Sequence, residues 1–426
     1  MKTIATGALL AKLEAPFTAV IDTRSVDAYN GWKFHGEPRG GHIRGARSLP
    51  FKWLNYIDWP EIVRAKGILP EYEIIVYGDD DVQVEKVAQQ FLRVGYPRVG
   101  QYLGLAAEWI PDRALPMDHL TNYRHLVSAE WLDQLLQIGR AIEYDNDKFV
   151  LCHAHYQNRG AYDEGHIAGA VELDTNTLES PETWNRRSPT ELKQALEALG
   201  ITHETTVILY GRFSFPDNND PFPGSAAGHL GAIRCALIMM YAGVRDVRIL
   251  NGGLQSWIDA GLPLATSNAP KKPVADFGAP IPGRPELIVD LPEARKILKS
   301  PGKNLVSVRS WDEFIGKVSG YNYIEKKGRI PGAVFGNCGS DAYHMENYRN
   351  LDHTTREYHE IAALWAEAGI KPDTCNAYYC GTGWRASEAF FNAWLMGWTD
   401  ISVYDGGWFE WSRDDDNPYQ TGVPES

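Results

Sequence analysis

Gly41-His42-Ile43-Arg44-Gly45-Ala46 recurs as Gly165-His166-Ile167-Ala168-Gly169-Ala170, and again as Gly328-Arg329-Ile330-Pro331-Gly332-Ala333. A hexapeptide kept three times in one chain of 426 residues marks three copies of one folding unit. Each motif follows an apolar strand pattern: Val20 to Asp22, Phe149 to Cys152, and Leu305 to Val308. The surroundings repeat as well. Strand patterns end at Tyr77-Gly78, Tyr210-Gly211 and Tyr379-Cys380; helical patterns follow and stop at Gly95, Gly243 and Gly397. A last strand reaches Gly104, Gly252 and Gly406, and a tryptophan follows each at Trp109, Trp257 and Trp411. Strands alternating with helices imply parallel β-α-β units. The expected fold class is therefore α/β: three tandem domains, each a parallel sheet with helices on both faces. Their expected limits are 1–118, 119–265 and 283–426. The stretch 266–282, rich in Pro, Ala and Gly, reads as an extended linker.

The copies differ where the fourth strand pattern ends. Copies one and two carry Gly78 and Gly211; copy three carries Cys380, followed by Gly381-Thr382-Gly383-Trp384-Arg385 and a helical pattern from Ala386 to Leu395. A cysteine at a strand end, a glycine-rich loop and a helix N-terminus form an anion cradle around a sulfur nucleophile. Loop amides face the sulfur, the helix dipole favours negative charge, and Arg385 adds a positive charge. Each of these favours the thiolate, the reactive form. Gly381 and Gly383 permit the left-handed angles that turn amides inward. Thr382 adds a hydroxyl donor, and Arg385 braces the loop or grips an anion bidentately. The competing reading is a buried inert cysteine in a strand-to-helix turn.

Loop size separates two chemistries. Cysteine phosphatases use Cys-x5-Arg, whereas this spacing is Cys-x4-Arg, a smaller cradle suited to a terminal sulfur on the cysteine. Here the chain resembles the rhodanese sulfurtransferase family. Val403-Tyr404-Asp405-Gly406-Gly407-Trp408 and Trp411 resemble the Asp-Gly-Gly-Trp-x-x-Trp ending of those domains. The resemblance implies three rhodanese-like domains with one active copy, residues 283–426. It implies double displacement: Cys380 takes the outer sulfur of a small anionic donor as a persulfide, then yields it to cyanide, a thiol or a protein thiol. It implies no metal and no organic cofactor. The three-domain group suggests thiosulfate as donor, while Gly381-Thr382-Gly383 resembles the loop of 3-mercaptopyruvate enzymes. Arg309, at the end of the neighbouring parallel strand, resembles a substrate-binding arginine; the alternative is an ion pair with Asp312 or Glu313. The rival functions are a non-catalytic sulfur carrier or scaffold and, less favoured, a cysteine phosphatase or arsenate reductase.

The remaining features bound the answer. A net charge of −13 argues against a nucleic-acid partner, and no apolar run reaches membrane-spanning length. Lys2 and Ile4 to Ala11 imitate an export signal that Lys12 cuts short, so the reading is cytoplasmic, or periplasmic if this is the mature form of an exported protein. Five cysteines, none in the first 150 residues, make no disulfide framework. Cys375 and Cys380 on one extended segment lie too far apart to bridge. Cys152, His153 and His155 lack a fourth ligand for zinc and read as strand residues. Asp79, Asp80 and Asp81 read as an acidic surface turn. Residues 213–228 interrupt copy two as a long excursion, expected to pack near the cleft. Trp384 reads as a lid or partner surface, Trp411 as core, and His344 and Glu346 as residues near the cleft.

Overall fold

The computed structural model describes residues 1–34, 36–213 and 228–424. Most of the expected excursion at 213–228 thus lies outside the described residues. The chain divides into two compact units, Met1–Arg124 and His125–Ser426.

The first unit holds one five-stranded sheet of β1 (Lys2–Thr3), β2 (Thr18–Asp22), β3 (Arg47–Ser48), β4 (Glu73–Tyr77) and β5 (Val99–Tyr102). Its order is β1-β5-β4-β2-β3, with every pairing parallel. The second unit holds two such sheets. One comprises β6 (Leu126–Val127), β7 (Phe149–His155), β8 (Val171–Asp174), β9 (Thr206–Gly211) and β10 (Asp246–Leu250). The other comprises β11 (Ile288–Val289), β12 (Lys303–Ser307), β13 (Val334–Phe335), β14 (Cys375–Tyr379) and β15 (Ile401–Tyr404). Both repeat the order first-fifth-fourth-second-third, again parallel throughout.

The repeated residues do the same physical work in each copy. Trp109, Trp257 and Trp411 are buried, and their indole N–H groups donate to the carbonyls of Pro116, Pro263 and Pro418. These indoles close each copy's C-terminal turn, as expected for core residues. The hydroxyls of Tyr77 and Tyr210 accept from the amides of Ile43 and Ile167, tying the fourth strand to the repeated hexapeptide. His42 and His166 stack on Tyr29 and Tyr162 at 3.7 Å. In copy three Arg329 takes that place over Phe314, at 5.0 Å.

Three helices follow the fourth strands: α1 (Asp81–Arg93), α2 (Gly228–Ala242) and α3 (Trp384–Leu395). The side chain of Asp80 caps α1 by accepting from the amides of Val82 and Gln83. Asp79, Asp80 and Asp81 are exposed, an ordinary acidic helix start. Every residue of α2 is buried, because it packs on its own sheet and also on α3. Residues 266–282 form no helix or strand, yet they are tied along copy two. The Val274 amide donates to the Glu197 carbonyl, and Phe277 is fully buried. No helix among the described residues is long and apolar enough to cross a membrane.

Candidate active site

Strand β14 runs through buried Tyr378 and Tyr379 and delivers Cys380 at its C-terminal end, beside the end of β12. Ligands of open parallel sheets bind at such ends. The loop after Cys380 is held from outside. The amides of Trp408 and Phe409 donate to the carbonyls of Cys380 and Gly381, at 2.8 and 2.9 Å. Gly407 makes this possible: its φ is +54°, and a Cβ there would sit 2.6 Å from the Gly381 carbonyl oxygen. Gly383 (φ +90°) caps α3, and its carbonyl accepts from the Ser387 amide and hydroxyl. With the outer carbonyls satisfied, the amides of Gly381, Thr382, Gly383, Trp384 and Arg385 take no protein acceptor among the described residues. Those amides lie at a helix N-terminus next to a buried sulfur, which is the arrangement that stabilises an anion.

Of the two roles expected for Arg385, the structure shows the brace and not an open charge added to the cradle. Its guanidinium is fully buried and grips Glu313 bidentately, at 2.8 and 2.9 Å. It also donates to the Asp341 carbonyl and comes within 3.9 Å of the Cys338 sulfur. It therefore acts as a brace between α3 and the loop at 338–341. Arg309 likewise departs from the substrate-binding expectation. It is fully buried and bonded to Glu313 (3.1 Å) and to the carbonyls of Gly328 (2.7 Å) and Ser319 (3.0 Å). Each of its three nitrogens is engaged by a protein acceptor, which turns the fork inward rather than towards the edge of the sheet. The ion-pair alternative describes it, and Arg24 does the same in copy one, bonding Asp22 and the Gly41 carbonyl. Burial alone would raise the Glu313 carboxyl, but Arg385, Arg309 and the Ser310 amide hold it down to about 2. Gly320 (φ +90°) lets the chain pass over it, since a Cβ there would fall 2.2 Å from a Glu313 oxygen.

Several residues that sequence reasoning did not single out complete the site. Tyr321 lies over the loop so closely that a Cβ on Gly381 would be 2.3 Å from its ring. Tyr323 stacks on Tyr321 at 5.1 Å. Both are partly exposed, unlike Cys380. A Tyr-x-Tyr in the segment between Arg309 and the repeated hexapeptide was the available signal, because neither other copy has it. Cys338 is buried beside Arg385, and burial pushes its thiol up to about 12. Copy two also reaches the site. Trp184 packs against Tyr323 and Phe409, at 4.8 and 5.2 Å. Nothing in the local sequence announces that contact, which crosses between two copies of the repeat.

Trp384 is not an exposed lid. It is 8% exposed, and its indole N–H donates to Glu179 of copy two at 2.9 Å. Glu179 accepts from Arg234, which also bonds Asp405 of the Asp-Gly-Gly-Trp turn. Asp405 has a second guanidinium in Arg186 and stays well ionised against its burial. Glu179 shares its single guanidinium, and burial raises it to about 7.

Other residues flagged by sequence stand apart. His153 lies between the rings of Tyr162 and Tyr210, and burial depresses its pKa to about 3. His155 bonds Glu172 at 2.7 Å, and the Cys152 thiol is raised by burial to about 12. His344 pairs with Asp341 at 2.8 Å on the loop that Arg385 braces, and Glu346 accepts from the Ser340 amide. All five cysteines are unpaired with one another.

Comparison with known proteins fits this geometry. The Rhodanese-like domain family matches residues 6–110, 128–260 and 290–414. The chain is 40% identical over 406 residues to the thiosulfate sulfurtransferase YnjE of Escherichia coli strain K12, covering 94% of this chain and 88% of the relative. It is 30% identical over 308 residues to the sulfur carrier protein TtuD of Thermus thermophilus, covering 68% of this chain and 96% of that one. Solved structures of EanB are 60% identical. The complex with ergothioneine superposes with a TM-score of 0.98 and full coverage of both chains. A complex with hercynine gives 0.97, over 99% of this chain and 98% of that one. Another EanB structure carries a cysteine persulfide in a tetrahedral intermediate state with ergothioneine.

Proposed function

The chain belongs to the rhodanese superfamily and is a sulfurtransferase, and from that premise we propose that Cys380 carries sulfur as a persulfide and delivers it to the imidazole of a trimethylammonium betaine of the hercynine type. The observation that carries the reading is the placement of Tyr321, Thr382 and Cys338 around Cys380. The EanB forms solved with these ligands include replacements of a tyrosine, a threonine and two further cysteines at fixed separations from the persulfide cysteine. The same separations from Cys380 lead to Tyr321, Thr382, Cys338 and Ser307; only the last differs in residue type. Charge supports the same class of acceptor. Arg309, Arg385 and Glu313 together leave one positive charge, fully enclosed, so the site offers amides and aromatic rings rather than open guanidinium groups. A zwitterion with an apolar cation suits such a lining.

For the first half-reaction the proposed donor is thiosulfate, after the name of YnjE, with 3-mercaptopyruvate as the comparator. The Cys380 thiolate attacks the outer sulfur, the S–S bond of the donor breaks, and sulfite leaves with the electron pair. The amides of residues 381 to 385 stabilise the persulfide anion. In the second half-reaction a C–S bond forms at the imidazole carbon between the two nitrogens. The persulfide S–S bond breaks, Cys380 departs as thiolate, and the carbon's proton is released. No outside oxidant is needed, because the outer sulfur is the group reduced. Burial raises the Tyr321 phenol far above its usual range, so it stays a proton-bearing donor. We assign it, with the Thr382 hydroxyl, to the imidazole nitrogens.

Intact mass tests both steps. Thiosulfate or mercaptopyruvate should add one sulfur to the wild type and none to Cys380→Ser. Hercynine should then remove it, with ergothioneine appearing in the supernatant. Loaded protein that ignores hercynine but yields its sulfur to cyanide would sink the acceptor and leave a simple thiophile transferase. A carrier, as the name of TtuD suggests, would load from a protein persulfide yet never turn over free donor.

A further inference from the structure

Copy two has no thiol at its nucleophile position, yet it sends a built arm into the site of copy three. The arm is a hairpin in which Glu179 and Arg186 form an antiparallel bridge. Ser180 donates its amide to the Asn185 carbonyl at 2.8 Å, and the Trp184 amide donates to the Ser180 carbonyl at 2.9 Å. Trp184 sits at its tip with φ +58°, a backbone region that costs a bulky residue free energy and persists only when neighbours hold it. Three groups hold it. Arg234 donates to the Trp184 carbonyl at 3.0 Å, and the Trp184 indole donates to the Tyr156 hydroxyl at 2.9 Å. The next-but-one residue, Arg186, donates its amide to Asp405 at 2.9 Å.

The ring thus fixed continues a wall that starts at the nucleophile. Tyr321 covers Gly381, Tyr323 stacks on Tyr321, and Trp184 meets Tyr323 at 4.8 Å and 30°. Phe409, whose amide holds the Gly381 carbonyl, closes the cluster edge-on to Trp184. Two of these rings already face cations: Arg385 lies 5.5 Å from the Tyr321 ring and Arg413 lies 4.9 Å from Phe409. Trp184 and Tyr323 carry no such partner among the described residues, and both are partly exposed. Indole gives the strongest attraction for a cation of any side-chain ring.

We propose that Trp184, with Tyr323, is the specificity wall for the acceptor's quaternary ammonium group, so that the second domain, which has no thiol at its own nucleophile position, supplies part of the substrate site. This rests on the betaine acceptor proposed above. A methylated ammonium sheds its hydration easily and presses its methyl groups on aromatic faces, whereas a primary ammonium keeps its water. The wall therefore separates hercynine from histidine, which differ only in those methyl groups.

The test is calorimetric binding of hercynine and of histidine to Cys380→Ser protein, which cannot turn over, and to the same protein carrying Trp184→Leu. The expected result is a loss of about ten-fold in hercynine affinity with histidine affinity unchanged. An unchanged hercynine-to-histidine ratio in folded Trp184→Leu protein overturns the wall while leaving the acceptor in place. A parent protein that binds no hercynine overturns the acceptor, and the wall with it. Should a lowered melting transition reveal that Trp184→Leu releases the arm, Tyr323→Leu reads the same wall from copy three, and the same ratio decides.

Discussion

Replacing Glu313 by Gln tests whether the buried arginines are struts. Its carboxylate has no exposure and accepts from both terminal nitrogens of Arg385, from Arg309 and from the Ser310 amide. Despite a burial penalty that would raise it, the two guanidinium groups hold this carboxyl near 2 instead of its usual 4.5, which corresponds to roughly 3 kcal/mol of folded-state stability. Breaking one partner out of a buried ion pair costs about 3–5 kcal/mol by independent reasoning, and the two figures agree. The sign follows from the direction. A folded pKa below the unfolded one gives stability that is complete above about pH 5 and is lost as pH falls from about 4.5 towards 2. Glu313→Gln should therefore lower the melting temperature of the second unit by about 5 °C at pH 7. The gap between variant and wild type should shrink to less than about half by pH 3 and close only towards pH 2. Tryptophan fluorescence melts at pH 7, 5, 4 and 3 measure it. A variant within about 1 kcal/mol of wild type at pH 7, or a gap undiminished at pH 3, refutes the strut assignment.

Three further outcomes are expected. Gly381→Ala puts a Cβ 2.3 Å from the Tyr321 ring; loading with thiosulfate should survive in part while transfer to the acceptor falls more steeply, which single-turnover mass spectrometry of each half-reaction resolves. Glu179, raised by burial to about 7 from 4.5, favours the folded state while protonated, so that stability is present below about pH 4.5 and lost as pH rises through 7. Urea melts of the second unit should lose up to about 3 kcal/mol between pH 5 and 8, and Glu179→Gln should flatten that slope. Installing a thiol as Gly78→Cys or Gly211→Cys should add no second persulfide and should destabilise the protein, since a Cβ would lie 2.3 Å from the Thr23 hydroxyl or 2.2 Å from the Gly228 carbonyl; a second sulfur by intact mass would contradict this.

The architecture was legible because its signals are local. The hexapeptide, the tyrosine at the fourth strand's end and the later tryptophan each recur at fixed spacing, and each makes a contact inside its own copy. The cradle was legible for the same reason: Cys380, Gly381, Thr382 and Gly383 act through backbone geometry set within a few residues. What stayed open was charge. Arg385 and Arg309 each read two ways, as an anion grip or as a brace or ion pair, because a sequence displays a guanidinium without deciding its partner; the structure pairs both with Glu313. Their partner, Glu313, lies on a helix start where Ser310 and Glu313 form a capping box, so its spacing already had a sufficient local explanation. Trp184, Glu179 and Arg234 were illegible for a different reason. They act across two copies, and contacts of that kind leave no period in the chain.

Copies one and two lack room for a thiol at this position as well as the thiol itself. In copy two the chain at Gly211 has closed against Gly228 and His229, the start of α2, so the room that Cys380 occupies in copy three no longer exists. The helix that would have been the second cradle's dipole is instead buried along its whole length and packed on α3. From it, Arg234 reaches Glu179 and Asp405, and a Cβ added at Gly231 would lie 3.5 Å from the Trp384 ring. In copy two the helix serves as the joint between the two sheets. The repeat is therefore not one working domain beside an idle one: residues of the second copy support Trp384, Asp405 and Trp184 around Cys380.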